Sequence, residues 1–261
     1  MENKAVTIST QLAIFIDSTI ARPDLLFNSL NSEIGEVIDA MPQTLPLPAD
    51  APADIPRVIG TSSFGKFNLN ISLNRIDFVE NYTPTEEIEK SVTEFKLKCN
   101  TLIATIFQKY GVVRIGLVGN YYIPHKNPSQ LIADLYLNEN KRNLDEITIR
   151  INNRDTFKNI QINNVINLSQ GQVTAQNYNG NAVIVQLDYN STDNNTPLEE
   201  GLTLALFKEN PLLITPSMLR MWWIMKFFKP KTDAIEYIRV EPSFSKRTTA
   251  ACGCKSWCGR I

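Results

Sequence analysis

Three cysteines near the C-terminus are the residues whose type and spacing best suit chemistry. Cys252, Cys254 and Cys258 lie within the last ten residues of the chain. This segment has no apolar periodicity, so we expect it to stay outside the packed core with its thiols accessible. The positive charges of Lys255 and Arg260 favour the reactive thiolate form.

Three kinds of sulfur chemistry fit this spacing. As a metal site, Cys252, Cys254 and Cys258 can supply three thiolates to Cu(I), or part of a zinc site whose fourth ligand the tail does not hold. As a redox pair, Cys254 and Cys258 can form a disulfide, whereas Cys252 and Cys254 are too close for an unstrained one. As a substrate, the tail offers Cys252-Gly253 and Cys258-Gly259, where glycine leaves the adjoining amide unhindered for backbone chemistry. The alternative is a terminal segment without function.

The rest of the chain lacks the usual catalytic patterns. Its one histidine, His125, is predicted to lie in an exposed loop, and one histidine cannot form a two-histidine metal site. No Gly-x-Ser-x-Gly elbow or phosphate-binding loop is present. Asp77 lies close to Arg75 on a predicted strand, which favours a structural ion pair. We therefore expect a protein that is not an enzyme and has no cofactor of its own.

A stretch rich in methionine and aromatic residues is the second candidate site. Met218, Trp222 and Trp223 belong to the apolar segment 218–228. These side chains can form a partner-binding face, although an apolar helix of this breadth is more often buried. The segment is about half as long as a membrane span, so no membrane association is expected.

Composition indicates a globular protein of the cytoplasm. The 261 residues are 43% hydrophobic and 20% charged, which is enough for a sizeable core. The 26 lysines and arginines balance 27 aspartates and glutamates, without the basic excess typical of nucleic-acid-binding proteins. No export signal is visible, so the cysteines are expected to meet a reducing compartment. Nucleic acid is not an expected partner.

Periodicity divides the chain into two α+β halves, residues 1–140 and 141–244, followed by the cysteine-rich tail 245–261. In the first half, alternation of apolar and polar residues predicts strands, and apolar residues three and four apart predict helices. The predicted elements are a strand over 12–16, a helix over 24–41, an extended proline-rich connection over 42–56, a strand over 58–79 with a β-bulge near Asn74 or Arg75, a helix from Thr85 to Gly111, a strand over 112–123 and a helix over 128–137.

The second half is predicted to form a mainly antiparallel sheet with helices. Its predicted strands are short and rich in asparagine, and the two predicted helices follow them. These elements are strands over 147–151, 157–166, 173–176 and 182–188, and helices over 197–208 and 215–228. The overall prediction is an α+β fold in which two sheet-and-helix halves pack together.

Three segments of the body carry a resemblance to a known family: Pro48-Ala49-Asp50-Ala51-Pro52-Ala53-Asp54-Ile55-Pro56-Arg57, Asn68-Leu69-Asn70-Ile71-Ser72-Leu73-Asn74-Arg75-Ile76-Asp77-Phe78 and Arg114-Ile115-Gly116-Leu117-Val118. Over most of residues 10–230 the chain resembles a sporadically distributed bacterial family of about this length. That family has no agreed activity, so the resemblance implies no catalytic residues.

The tail resembles the short cores of ribosomally made peptides whose cysteines are modified after translation. Its Cys-Gly pairs are similar to substrates of multinuclear non-haem iron oxidative enzymes. The resemblance implies iron in the partner enzyme rather than in this chain. It departs from the pattern in size, because the leader of such peptides is usually short and this body is a whole domain.

These patterns predict a peptide precursor or carrier whose folded body is recognised by a modifying enzyme. Two alternatives stay open from the residues. One is an interaction protein of a bacterial defence or toxin–antitoxin system, and the other is a thiol-based metal carrier that uses Cys252, Cys254 and Cys258.

Overall fold

The computed structural model describes residues 5–48, 50–83, 86–137, 144–175, 177–192 and 196–209. Over these residues the chain forms nine strands and four helices. The strands are β1 (Val6–Ile16), β2 (Gln43–Thr44), β3 (Val58–Thr61), β4 (Phe67–Ile71), β5 (Arg75–Asn81), β6 (Val112–Pro124), β7 (Thr148–Phe157), β8 (Ile160–Ala175) and β9 (Tyr178–Ser191). The helices are α1 (Pro23–Glu33), α2 (Ile88–Phe107), α3 (Pro128–Tyr136) and α4 (Glu200–Glu209).

All nine strands belong to one antiparallel sheet in the order β2-β3-β4-β5-β1-β6-β9-β8-β7. The predicted α+β class is confirmed. The expected pair of separate sheets is replaced by a single one, because β6 pairs with β9 from Gly116 opposite Asn190 to Pro124 opposite Ala182. The sheet therefore runs without interruption through strands from both predicted halves.

The prediction of one bulged strand over 58–79 is wrong. This segment forms three strands, β3, β4 and β5, joined by two tight turns. Gly65 adopts a φ of 67° in the first turn, and in the second the Ser72 N–H donates to the Arg75 carbonyl at 2.8 Å. The change in apolar parity near Asn74 therefore marks a chain reversal, after which the alternation starts again on a new strand.

Two helix lengths also differ from expectation. α1 ends at Glu33, because Gly35 and Glu36 take left-handed φ angles of 86° and 55° that a helix cannot continue through. Ile38 is nevertheless buried in the core, so the apolar spacing of this segment reflects burial beyond the helix. α2 begins at Ile88, and its predicted cap Thr85 lies outside the described residues.

The helices cover one apolar face of the sheet. Phe78 of β5 stacks between Phe67 of β4 and Phe95 of α2, with ring centroids 5.9 and 5.5 Å apart. α1 places the ring of Phe27 against the backbone of Gly60 on the same face. These contacts join the strands and helices into one core, in which each fully buried large side chain contributes roughly 1.5–3 kcal/mol.

None of the four described helices is long and apolar enough to cross a bilayer.

Candidate functional site

The sequence-predicted site residues lie outside the described residues. They are the tail residues Cys252, Gly253, Cys254, Cys258 and Gly259, and the proposed partner-binding residues Met218, Trp222 and Trp223. The fourth cysteine, Cys99, is fully buried in α2, and burial raises the pKa of its thiol well above the usual value. Cys99 is therefore a core side chain in its protonated form.

His125 lies in the loop between β6 and α3, as predicted, but it is half-buried rather than exposed. Its Nδ1 accepts a hydrogen bond from the backbone N–H of Asn127 at 3.1 Å, and its backbone N–H donates to the Asn181 carbonyl at 3.1 Å. An open cavity of about 600 Å³ adjoins this loop. Two of its lining side chains support the fold, since Ser129 Oγ donates to the Asp145 carbonyl and Gln170 Oε1 accepts from Ile147 N–H.

The second face of the sheet, here called the polar face, carries the most extensive arrangement of polar side chains. In β5 the polar-face residues Arg75, Asp77 and Val79 alternate with the core residues Ile76 and Phe78. The same alternation in the neighbouring strands adds many amide and charged side chains. The polar members of this face in the central strands include Gln11, Asn68, Asn70, Arg75, Asp77, Arg114, Asn120, Asn163, Asn167, Gln186, Asp188 and Asn190.

An arginine–phenylalanine–arginine stack lies at the centre of this face. The strand register places Phe15 of β1 opposite Arg75 of β5 and Arg114 of β6. The two guanidinium carbons lie 4.9 and 5.1 Å from the ring centroid of Phe15, within cation–π range. The ring therefore holds both guanidinium groups in fixed positions on neighbouring strands.

Arg75 pairs with an acidic side chain of its own strand. Its Nε and Nη2 donate to Asp77 Oδ1 at 3.0 and 2.7 Å, and Gln11 Nε2 donates to the same oxygen at 2.7 Å. The predicted ion pair between Arg75 and Asp77 is therefore confirmed. Arg114 differs, because its Nη2 donates to the neutral amide oxygen of Asn190 at 3.1 Å.

Two small residues form the floor between these side chains. Asp77, Ala13, Gly116 and Asn190 are aligned across four adjacent strands. A Cβ added to Gly116 would lie 3.4 Å from Asn190 Cβ and 4.0 Å from Ala13 Cβ, which is ordinary van der Waals contact. Gly116 and Ala13 are both buried, so this floor lies beneath the polar side chains that surround it.

Amide side chains extend the network toward the second half of the chain. Asn120 donates to Ser9 Oγ at 3.0 Å, Gln186 donates to Asn120 at 3.1 Å, and Asn167 donates to Gln186 at 2.9 Å. This chain of contacts, here called the amide ladder, crosses four strands. Each link holds the orientation of the next amide, so the face presents donors and acceptors in a defined pattern.

A buried carboxyl group lies on the opposite, helix-covered face. Glu80 is 1% exposed, and Lys66 Nζ lies 3.4 Å from its Oε1 and 3.5 Å from Oε1 of Glu86. Neither oxygen of Glu80 accepts a hydrogen bond from a described residue. Burial raises the pKa of Glu80 to about 7, with a smaller contribution from Glu86, whereas Lys66 and Lys98 oppose the rise.

Sequence reasoning identified the Arg75–Asp77 pair but missed Gln11, Phe15, Arg114 and Asn190. The signal that could have found them is the alternation within each strand, which separates polar-face from core positions. Which strands are neighbours cannot be read from that alternation, because the order places β1 between β5 and β6.

Among the described residues, no group of three or more His, Cys, Asp or Glu side chains is placed to hold a metal ion. Neither protein-family models nor curated proteins match the chain. The resemblance of the body to a bacterial family therefore stays a prediction, as does that of the tail to modified peptides.

Proposed function

We propose that the folded body is a recognition domain that docks a modifying enzyme on its polar face and presents the C-terminal cysteines to that enzyme. The observation that carries the proposal is the hydrogen-bonded network that crosses the centre of this face. The chain would then be a peptide precursor or carrier rather than a catalyst, and the proposal assigns it no cofactor of its own.

The network supports docking because its side chains are already oriented. A flexible polar surface loses conformational freedom when a partner binds, and that loss weakens binding. On the polar face, Phe15 holds Arg75 and Arg114, and the amide ladder holds Asn120 and Gln186. Fixed donors and acceptors favour one complementary partner over others, which is what an enzyme with a single protein substrate requires.

The tail supplies the chemistry in this proposal. Cys252, Cys254 and Cys258 are the thiols to be modified, and Gly253 and Gly259 leave the adjoining amides accessible. Docking through the body raises the effective concentration of these thiols at the active site of the enzyme, without any contact to the tail itself. Iron for an oxidative modification would belong to the enzyme.

The test is the intact mass of the full-length protein after co-expression with candidate enzymes encoded by neighbouring genes. We expect a mass change located to the tail, abolished by the triple variant Cys252→Ser, Cys254→Ser, Cys258→Ser. An unchanged tail mass in the wild-type protein overturns the proposal.

The docking face is tested in the same experiment with the double variant Asn120→Ala, Gln186→Ala. We expect this change in the amide ladder to reduce the modified fraction. The matched control is Arg22→Gln, which removes an exposed charge that pairs with Asp24 on α1. Equal modification of both variants would contradict docking on the polar face.

Deletion of residues 250–261 separates this proposal from its main rival. If the protein functions by binding a partner in a defence or toxin–antitoxin system, its cellular activity survives the deletion. If it is a precursor, the deletion removes all modification.

A further inference from the structure

The two arginines that flank Phe15 occupy equivalent positions but differ in their charge balance. Arg75 pairs with Asp77 at 2.7 Å, and Gln11 supports the same carboxylate. Arg114 has no acidic group within ion-pair distance among the described residues, and its Nη2 is bound to Asn190. Phe15 therefore separates a neutralised guanidinium from one that lacks a counter-charge.

The unpaired charge is held in a partly desolvated position. Arg114 is half-buried, and its Nε is buried without a hydrogen-bond partner. Taking a guanidinium out of water is unfavourable unless an anion or strong acceptors compensate for the lost hydration. Stacking on Phe15 and one bond to a neutral amide compensate only in part. An arginine held in this way, on a surface built from polar side chains, is suited to receive an anion from outside.

The guanidinium of Arg114 keeps donors that no described residue uses. One N–H of Nη2 binds Asn190, whereas no hydrogen bond joins the two N–H groups of Nη1 to a described residue. The neighbouring floor residues Gly116 and Ala13 are buried, but Arg114 itself is only partly buried. A compact anionic group would therefore approach Arg114 from its solvent-exposed side.

We infer that Arg114 anchors a carboxylate-recognition site on the polar face, and that the occupant is an aspartate or glutamate side chain of the docking partner. The identity of that partner rests on the proposed function, whereas the anion site itself does not. Asn163 and Asn190 border the site. The amide oxygen that orients Arg114 is Asn190 Oδ1, and Asn163 Nδ2 donates to this oxygen at 3.2 Å.

The charges around the site favour a single carboxylate over a polyanion. Asp77 and Asp188 belong to the same face, and Asn190 Nδ2 donates to Asp188 at 2.8 Å. Residues 1–209 carry 17 lysines and arginines against 24 aspartates and glutamates, a net charge of −7. A surface that binds a nucleic-acid backbone needs a basic stripe, which this balance does not supply. A single carboxylate can pair with Arg114, whereas the second charge of a polyanion would be repelled by Asp77.

The test uses the full-length protein with ¹⁵N-labelled arginine and follows the Nε–H resonances during titration with sodium acetate. We expect a saturable shift at Arg114 and none at Arg22, whose guanidinium already pairs with Asp24. Acetamide, which has the same shape without the charge, is expected to cause no shift. Sodium chloride at equal ionic strength controls for screening.

Two variants make the assignment specific. Asp77→Asn removes the counter-charge of Arg75, so a second acetate-dependent shift should appear at Arg75. Arg114→Lys keeps the charge but loses the planar fork and is expected to weaken acetate binding by about tenfold. Since this variant lacks the Arg114 resonance, its binding is followed in uniformly ¹⁵N-labelled protein through the side-chain amide of Asn190, which should also shift in the wild-type protein.

Several outcomes would overturn the inference. They are a linear, non-saturating response, equal shifts at Arg22 and Arg114, and a response to inorganic phosphate without one to acetate. Because no enzyme or tail modification enters this titration, its failure leaves the docking proposal standing. Conversely, acetate binding at Arg114 together with unchanged tail mass would overturn the proposed function alone.

Discussion

The two faces of the sheet differ in how their side chains are satisfied, although they alternate residue by residue along the same strands. On the helix-covered face, Phe78 is fully buried between two aromatic rings. Its neighbour Asp77, on the polar face, is held by three hydrogen bonds from Arg75 and Gln11. The comparison teaches that apolar burial stabilises one face, whereas hydrogen bonds between polar side chains order the other.

Each face also carries one charge that its surroundings satisfy poorly. Glu80 lies under the helices, and burial raises its pKa to about 7. Arg114 lies on the polar face and has neutral hydrogen-bonding partners only. Protonation relieves the buried carboxyl group, whereas the guanidinium cannot lose its proton at any physiological pH, so only an anion could neutralise its charge.

The largest expected effect is the loss of a core side chain. Phe78→Ala should reduce the free energy of unfolding by about 3–5 kcal/mol, since the cavity lies between Phe67 and Phe95. The matched control is Val79→Ala, since Val79 is the next residue along β5 and lies on the polar face. This change should reduce the free energy of unfolding by less than about 1.5 kcal/mol. Urea denaturation followed by circular dichroism measures both. Equal losses would show that the faces contribute equally to stability.

The second prediction concerns the pH dependence of stability through Glu80. Its pKa is about 7 in the folded protein and near 4.5 in a solvated chain, so the folded state binds the proton more tightly. The folded state should therefore lose stability as pH rises from 4.5 to 7, by about 3 kcal/mol in total. Above pH 7 Glu80 is ionised in the folded protein, so the whole unfavourable free energy of burying its charge lowers stability.

Glu80→Gln should remove this dependence. The variant should match the wild-type protein near pH 4.5 and exceed its stability at pH 8, and the difference between the two titrations isolates the contribution of Glu80. A difference that does not change between these pH values would contradict the buried-carboxyl assignment. Lys66 keeps Glu86 as an ion-pair partner in the variant.

The smallest expected effect compares two glycines on opposite faces. A Cβ at Gly60 would overlap the ring of Phe27 in the core, so Gly60→Ala should cost about 1–3 kcal/mol. A Cβ at Gly116 meets only ordinary contacts, so Gly116→Ala should change stability by less than about 0.5 kcal/mol. A large stability loss at Gly116 would show that the floor is part of the packed core.

Much of the fold was predictable where the pattern is local. Apolar spacing identified α2, α3 and α4 to within a few residues, and it identified β6 and the second half of β1. The parity change near Asn74 was observed correctly but interpreted wrongly, since a bulge and a tight turn both reset the alternation. Residues 160–166 and 173–175, which were predicted to belong to two strands, lie in the single strand β8, because pairing with β9 overrides the polar residues between them.

The polar site was only partly predictable. Arg75 and Asp77 are two residues apart on one strand, so their pairing follows from local geometry. Arg114 and Phe15 are far apart in sequence and meet only because β1 lies beside β6. No local signal distinguishes Arg114 from the other arginines of the chain, because its lack of a counter-charge depends on which strands surround it.

The sequence by itself determined which side chains share a face, because the alternation of a strand and the spacing of a helix are properties of neighbouring residues. It also placed three thiols in a basic C-terminal segment. The tertiary structure alone decided the strand order and register. Long-range pairing thus placed Phe15 between Arg75 and Arg114 and left only one of the two arginines without a counter-charge.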